Sequence, residues 1–335
     1  MKIFYAIQGT GNGHLSRAVE LYPHLQKYGQ VDFFLSGSNS NLKSNLPIKY
    51  KSKGLSLFYK HSGGLDYNKI LGSLSLNIVK DAKALPLENY DLIINDFEFV
   101  TSLACSMKKL PCVHFGHQAS FQSKKTPRPQ QVNPLGGFIL EKFVKSNTHI
   151  GLHFDNYDEN IYNPIIKQDI IQANPINDGH ITVYLPQYAM AILEPHFLNQ
   201  PKFHFEVFTK EVGRIICHKN ITYFPINNKQ FTSSMVRCYG IITAGGFETP
   251  AEAMYMNKKV LSIPILKHYE QACNASALEK MGVMVLKKID QNFNTYFNQW
   301  VSQKKPIHLK LKHSTADIVD ILIKTSQKNK HVHHS

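Results

Sequence analysis

Residues Gly240–Gly282, GIITAGGFETPAEAMYMNKKVLSIPILKHYEQACNASALEKMG, decide the fold. The apolar run GIIT predicts a strand, Gly245-Gly246 a turn, and the stretch from Glu248 a helix. A second strand, VLSIP, then leads through a polar loop into a second helix. Polar groups gather where these strands end: Thr243, Glu248, Thr249, Glu252, Glu270, Gln271 and Asn274. An open α/β sheet builds its ligand sites in this way, beyond the carboxyl ends of its strands. A glycine turn near the other end of the chain, Gln8-Gly-Thr-Gly-Asn-Gly-His14, reads as its counterpart. The chain is therefore α/β, with two doubly wound, parallel-sheet domains facing one cleft.

Outward from these turns the pattern repeats. Strands are predicted over 2–7, 31–35, 90–95, 111–115 and 149–154, with one or two more between 47 and 59. Helices are predicted over 13–28, 67–85, 100–108 and 135–145. Asn12 suits an N-cap for the first helix, and Pro23 is expected to kink or split it. Residues 122–134, QSKKTPRPQQVNP, read as a loop, and residues 155–179, rich in Asn, Asp and Pro, as the linker. Strands at 180–185, 203–208 and 221–225 and a helix at 187–198 open the second domain. The expected division is 1–165 for an acceptor-side domain and 166–313 for a ligand-binding domain. A helix over 314–328 rejoins the first domain, and 329–335 form a disordered tail.

Composition narrows the function. With 335 residues, 43% hydrophobic and 19% charged, the chain can bury two cores and is not a disordered one. The N-terminal MKIFYAIQGTGNG reads as a strand rather than a signal peptide, and no apolar run approaches the roughly 20 residues of a membrane span. Five scattered cysteines without a CxxC pair argue against a disulfide framework or zinc knuckle and for a reducing cytoplasm. The net charge of +14 comes without a recognition-helix pattern or an aromatic-interleaved RNA motif, so nucleic acid is not expected as a partner. Lys43, Lys49, Lys51, Lys53 and Lys60 form a loose cluster that would suit anionic lipid headgroups.

The chemistry-bearing residues sit in the two turns. Gly9, Gly11 and Gly13 allow close backbone approach, and the following helix N-terminus favours an anion such as phosphate. GTGNGH lacks the Gly-Lys-Ser/Thr of a P-loop, and no acidic residue ends the second strand as a dinucleotide site requires. His14, in the first turn of the helix, is either a proton acceptor or a local cap. Asp96 follows a buried strand and either orients His14 or caps the next helix, with Glu98 an alternative partner. In the second turn Gly245 and Gly246 again admit a ligand. Thr249 and Glu252 share a helix face, and Glu252 is placed to accept from a ribose diol. His268, Glu270, Gln271 and Asn274 suit sugar hydroxyls, which need both donors and acceptors. No pair of residues has convincing metal-ligand spacing, His114 and His117 included.

GTGNGH together with GGFETPAEA and IPILKHYEQACNASALEKMG resembles the GT-B glycosyltransferases. The pattern is most similar to the lipid-linked N-acetylglucosaminyltransferase of peptidoglycan synthesis and to bacterial and archaeal enzymes like it. Phe247 and Glu248 stand where that enzyme has small residues. The resemblance implies two Rossmann-like domains and a nucleotide-sugar donor, UDP-linked, held by the second domain. Glu252 would hold the ribose; Gly245, Gly246 and Thr249 the nucleotide and diphosphate; Glu270 and Gln271 the transferred sugar; and His14 would be the catalytic base with Asp96 behind it. Gly11, Gly13, His268 and Asn274 complete the donor set. It further implies inverting, metal-independent transfer with no cofactor, to a glycan or lipid-linked acceptor, in the cytoplasm at the inner membrane face. A nucleotide-sugar epimerase of the same fold, or a silent sugar-nucleotide-binding protein, are the alternatives.

Overall fold

The computed structural model describes residues 1–9, 12–37, 45–55, 76–131 and 133–332. Strand β1 (Lys2–Gln8) is buried from Ile3 to Gln8. Its unbroken apolar run is what a parallel strand covered on both faces requires. On one side lie β2 (Gln30–Ser36) and β3 (Ile48–Ser52). On the other lie β4 (Leu92–Asp96), β5 (Val113–Gly116), β6 (Thr148–Leu152) and β7 (Ile161–Tyr162), giving the order β3-β2-β1-β4-β5-β6-β7. All these pairings are parallel.

The second sheet repeats the plan. Its strands are β8 (Ile181–Tyr184), β9 (Phe205–Thr209), β10 (Ile216–His218), β11 (Ile221–Pro225), β12 (Gly240–Thr243), β13 (Lys259–Ser262) and β14 (Met284–Val285). They are ordered β10-β11-β9-β8-β12-β13-β14, and β10 pairs antiparallel with β11. Each sheet reverses its strand order once, between β1 and β4 and between β8 and β12, and ligand crevices form at such points. This order corrects one expectation. The turn after β1 and the turn after β12 are not counterparts: β12 occupies the place of β4, and the counterpart of β1 is β8. Glycine content made the two turns look alike, while strand order separates them.

The helices of the first domain are α1 (Gly13–Leu25), α2 (Leu76–Ala84), α3 (Phe99–Lys108) and α4 (Pro134–Lys142). Pro23 lies in the last turn of α1, where it forgoes one i→i−4 hydrogen bond, but the helix runs on to Leu25 and is not split. Asn12 takes the N-cap position without a side-chain cap bond. The expected linker is not structureless: it supplies β7 and the one-turn α5 (Gln168–Ile171). The second domain carries α6 (Met190–Leu198), α7 (Asn228–Arg237), α8 (Glu248–Tyr255), α9 (Tyr269–Lys280) and α10 (Phe293–Ser302). Finally α11 (Thr315–Val332) returns to pack on α1, burying Ile318, Val319 and Leu322. It runs to Val332, into residues expected to be a disordered tail. Asn163, just past β7, clasps the returning chain: its Oδ1 accepts from the N–H groups of Lys312 and His313 at 3.1 and 2.8 Å.

Apolar packing continues across the domain boundary. Phe247, Ala251 and Met254 share a core with Leu15, Ala18 and Leu21 of α1. Tyr269 and Cys273 of α9 join Phe121, Leu140 and Phe143 of the first domain. Gly136 permits this approach, since a Cβ there would meet the Tyr269 side chain at 2.6 Å. Among the described residues no helix is long and apolar enough to cross a membrane.

Candidate active site

The site is assembled where β1 and β4 end side by side. Ile7 is in register with Asp96, so the carboxylate emerges next to the first turn of α1. His14 and Arg17 are three residues apart and share the helix face that meets it. The Nδ1 of His14 lies 2.7 Å from Asp96 Oδ1. Arg17 donates from Nε to Oδ2 and from Nη2 to Oδ1, both at 2.9 Å, and Tyr5 donates its hydroxyl to Oδ2 at 3.2 Å. Asp96 is fully buried. Burial alone would raise its carboxyl, but Arg17 and His14 overcome this and hold it well below the ordinary carboxylate range. An ionised Asp96 requires Nδ1 of His14 to carry the proton. That leaves Nε2 as the nitrogen able to accept one. Asp96 thus contacts His14 and is not the cap of the next helix.

Glu98 takes the capping role instead. Its carboxylate accepts from the N–H groups of Val100 and Thr101 at 2.7 and 2.6 Å, at the N-terminus of α3. Phe97 makes both placements possible by adopting φ 58°, a left-handed turn uncommon for a side chain of its size. The neighbouring strand leaves room as well: a Cβ at Gly116 would stand 2.7 Å from Asp96 Oδ1.

Residues given no site role from the sequence complete the arrangement. The Nη1 of Arg17 donates to Glu248 of α8 at 2.8 Å, crossing from one domain to the other. Glu248 packs so closely on the first turn of α1 that a Cβ at Gly13 would meet its carboxylate at 2.7 Å. His117 and Gln118, at the N-cap and first position of a 3-10 turn after β5, also reach across. Nε2 of His117 lies 2.8 Å from Asn274 Oδ1, and Gln118 Nε2 donates to Glu270 Oε1 at 3.1 Å. The His117 ring stacks on Phe247, with centroids 3.9 Å apart and planes 9° from parallel. The available signal was position alone, since polar residues just after a strand end line the cleft of such a sheet.

The second-domain residues fall into two groups. Gln271 and Asn274 brace the turn itself. Gln271 Oε1 accepts from the N–H groups of Gly245 and Ile265, at 3.2 and 2.8 Å, and Asn274 Nδ2 donates to the Gly245 carbonyl at 3.0 Å. His268 caps α9 through a long contact to the Gln271 N–H, 3.4 Å, which ties it to the local turn. Gly245 is crowded by Pro264 and Gln271, whereas a Cβ on Gly246 would meet nothing within 4 Å. Gly246, Thr249 and Glu270 are partly exposed, Thr249 in the first turn of α8 and Glu270 in that of α9. Glu252 is buried, and Lys167 approaches its carboxylate to 3.1 Å. Burial raises the Glu252 carboxyl, with Lys167 opposing. Gly11 lies outside the described residues, as do Lys43 and Lys60.

His114 is buried with both ring nitrogens unpartnered, and burial together with nearby His149 lowers it to about 3. A neutral, enclosed imidazole of this kind fills the core. Among the described residues no three His, Cys, Asp or Glu side chains gather to hold a metal ion.

A family model described as glycosyl transferase family 1 matches residues 1–299. No curated protein sequence matches the chain. Among solved structures it is similar to the spinosyn forosaminyltransferase SpnP, with TM-score 0.57, 13% identity, and coverage of 98% of this chain and 99% of that one. It is similar also to UGT89C1 of Arabidopsis thaliana complexed with UDP, with TM-score 0.61, 12% identity, and coverage of 98% and 94%. A third is MurG of Acinetobacter baumannii, with TM-score 0.56, 14% identity, and coverage of 96% and 99%.

Proposed function

The chain belongs to glycosyl transferase family 1 and is a glycosyltransferase of GT-B fold, and we propose that it transfers a sugar from a UDP-sugar to an acceptor hydroxyl with inversion and without a metal. The observation that carries this reading is the 2.7 Å contact between His14 of α1 and Asp96 of β4. The acceptor hydroxyl gives its proton to His14 Nε2 as its oxygen attacks the anomeric carbon. The bond from that carbon to the diphosphate breaks, and UDP leaves from the opposite face. Asp96 stabilises the imidazolium that results, a contribution of about 10²–10⁴ in rate for a placed general base. The leaving diphosphate is stabilised by backbone N–H groups at the turn before α8 and by that helix's N-terminus.

Glu252 receives the ribose diol, and Thr249 and Gly246 approach the diphosphate. The transferred sugar lies against Glu270, Gln271 and Gln118. Gln118 Oε1 is buried with no protein partner, which supports a sugar hydroxyl as its donor. A UDP-linked donor is supported by the UDP complex of the A. thaliana structure. The nucleotide-sugar is a substrate, and no cofactor is required. An acceptor at a cytoplasmic membrane face is supported by α4, where Leu135 and Phe138 are 47% and 61% exposed on the face that also bears Lys142. The lysine cluster supports it less, because Lys49 is engaged by Asp32 at 2.6 Å.

Calorimetric titration of nucleotide-sugars tests the donor assignment. The expected result is preference for UDP over other nucleoside diphosphates, lost at least tenfold in Glu252→Ala. Equal affinity for all nucleotides, or an unaffected variant, would refute it. Donor incubated alone should stay intact apart from slow hydrolysis; formation of an epimer would replace transfer by epimerisation.

A further inference from the structure

We infer that Arg17 and Glu248 are positioning residues that couple proton uptake at His14 to the seating of the second domain. This rests on His14 being the base. The guanidinium of Arg17 is committed in every direction: Nε and Nη2 to Asp96, and Nη1 to Glu248. With its side chain 3% exposed, it is not a spare binder of phosphate. Its Nη2 lies 3.1 Å from His14 Nδ1, so a permanent cation touches the ring that must become cationic.

The charges around His14 come from each packed element. Tyr5 of β1 and His114 of β5 are neutral, the first pushed up by burial and Asp96, the second pushed down by burial and His149. Arg17 of α1 is positive, and Asp96 of β4 is negative. These two cancel, so within the first domain alone a protonated His14 would leave one uncompensated charge in a buried site. Glu248 supplies the missing negative charge through Arg17. It belongs to the other domain, on the first turn of α8. Protonated His14 is compensated only while that domain is seated. The arrangement links base strength to closure of the cleft, so the acceptor is activated where the donor is held.

Glu248→Gln isolates the charge. The amide keeps an acceptor for Nη1, and the side chain is partly exposed, so the fold is retained. The expected outcome is a fall of about tenfold in kcat with KM for the donor changed less than about twofold. The acid limb of the kcat profile should move about one unit to lower pH, because losing a negative charge disfavours the protonated base. Glu248→Asp, which keeps the charge, should restore the profile. An unmoved acid limb in Glu248→Gln would overturn the inference, as would a rise in KM at constant kcat, which would make Glu248 a donor ligand. The base reading is judged separately by His14→Ala. If that variant is inactive and the Glu248→Gln profile is unmoved, the coupling alone falls; if it is active, the base reading itself falls.

Discussion

Asp96-Phe97-Glu98 and Gly246-Phe247-Glu248 lie in the corresponding strand-to-helix turns of the two sheets, the first beginning at the last residue of β4 and the second three residues past the end of β12. Both phenylalanines are buried, yet the glutamates diverge. In the first domain Phe97 turns left-handed, α3 begins at Phe99, and Glu98 folds back to cap it. In the second, Phe247 keeps φ −95° and the helix begins at Glu248 itself. A carboxylate at the first helical position points outward from the turn, and this one reaches the opposite domain. The start of the helix relative to the Phe-Glu pair, not the pair itself, decides between a structural cap and a group that works in the cleft. The preceding residue follows suit: Asp96 supplies a buried carboxylate, while Gly246 supplies open space.

The largest expected effect comes from removing the acid of the first turn. In Asp96→Asn the amide N–H₂ faces His14, which must then accept at Nδ1 and carry its proton on Nε2. Transfer should fall on the order of 10³-fold. Arg17 is left with one carboxylate, so stability should also drop by about 3 kcal/mol, read by denaturant melts. Acid provides the second test. His114 binds a proton in the unfolded chain below about 6.5 but in the native chain only near 3. The unfolded state therefore holds more protons between those values, and stability is lost as pH falls from 6.5 toward 3, by a few kcal/mol at most. His114→Leu should flatten that slope, which urea midpoints against pH would show. Next come the glycines of the second turn. Gly245→Ala meets Pro264 and the Gln271 backbone and should cost about 1–3 kcal/mol. Gly246→Ala should leave the melting temperature in place and weaken donor binding. The smallest change is Glu98→Ala, about 1–2 kcal/mol for a lost cap, with turnover per folded molecule preserved. Loss of turnover there would erase the contrast with Asp96.

Sequence carried the two-sheet plan because buried parallel strands and glycine turns leave strong local marks. His14 and Asp96 stood out by position, His14 in the helix turn that follows the first strand and Asp96 at the end of a buried one. Arg17 was not: three residues after His14 in a chain of net charge +14, it reads as one more surface cation. Its meaning comes from Asp96 and Glu248, both distant along the chain. Glu248 was visible as a departure from the family pattern, without any sign of what it met. Lys167 sat in a segment taken as linker. The helix α7 was missed because NKQFTSSMVR is short and polar. The helix α10 did offer a signal, Phe293, Phe297 and Trp300 at helical spacing.

Whether His14 is the base is decided by UDP release from a UDP-sugar panel, in the presence of membrane-lipid and glycan acceptors, by the native chain and by His14→Ala. The expected result is acceptor-dependent release by the native chain and a loss of at least about 10²-fold in the variant with donor affinity retained. Undiminished release by His14→Ala would contradict it.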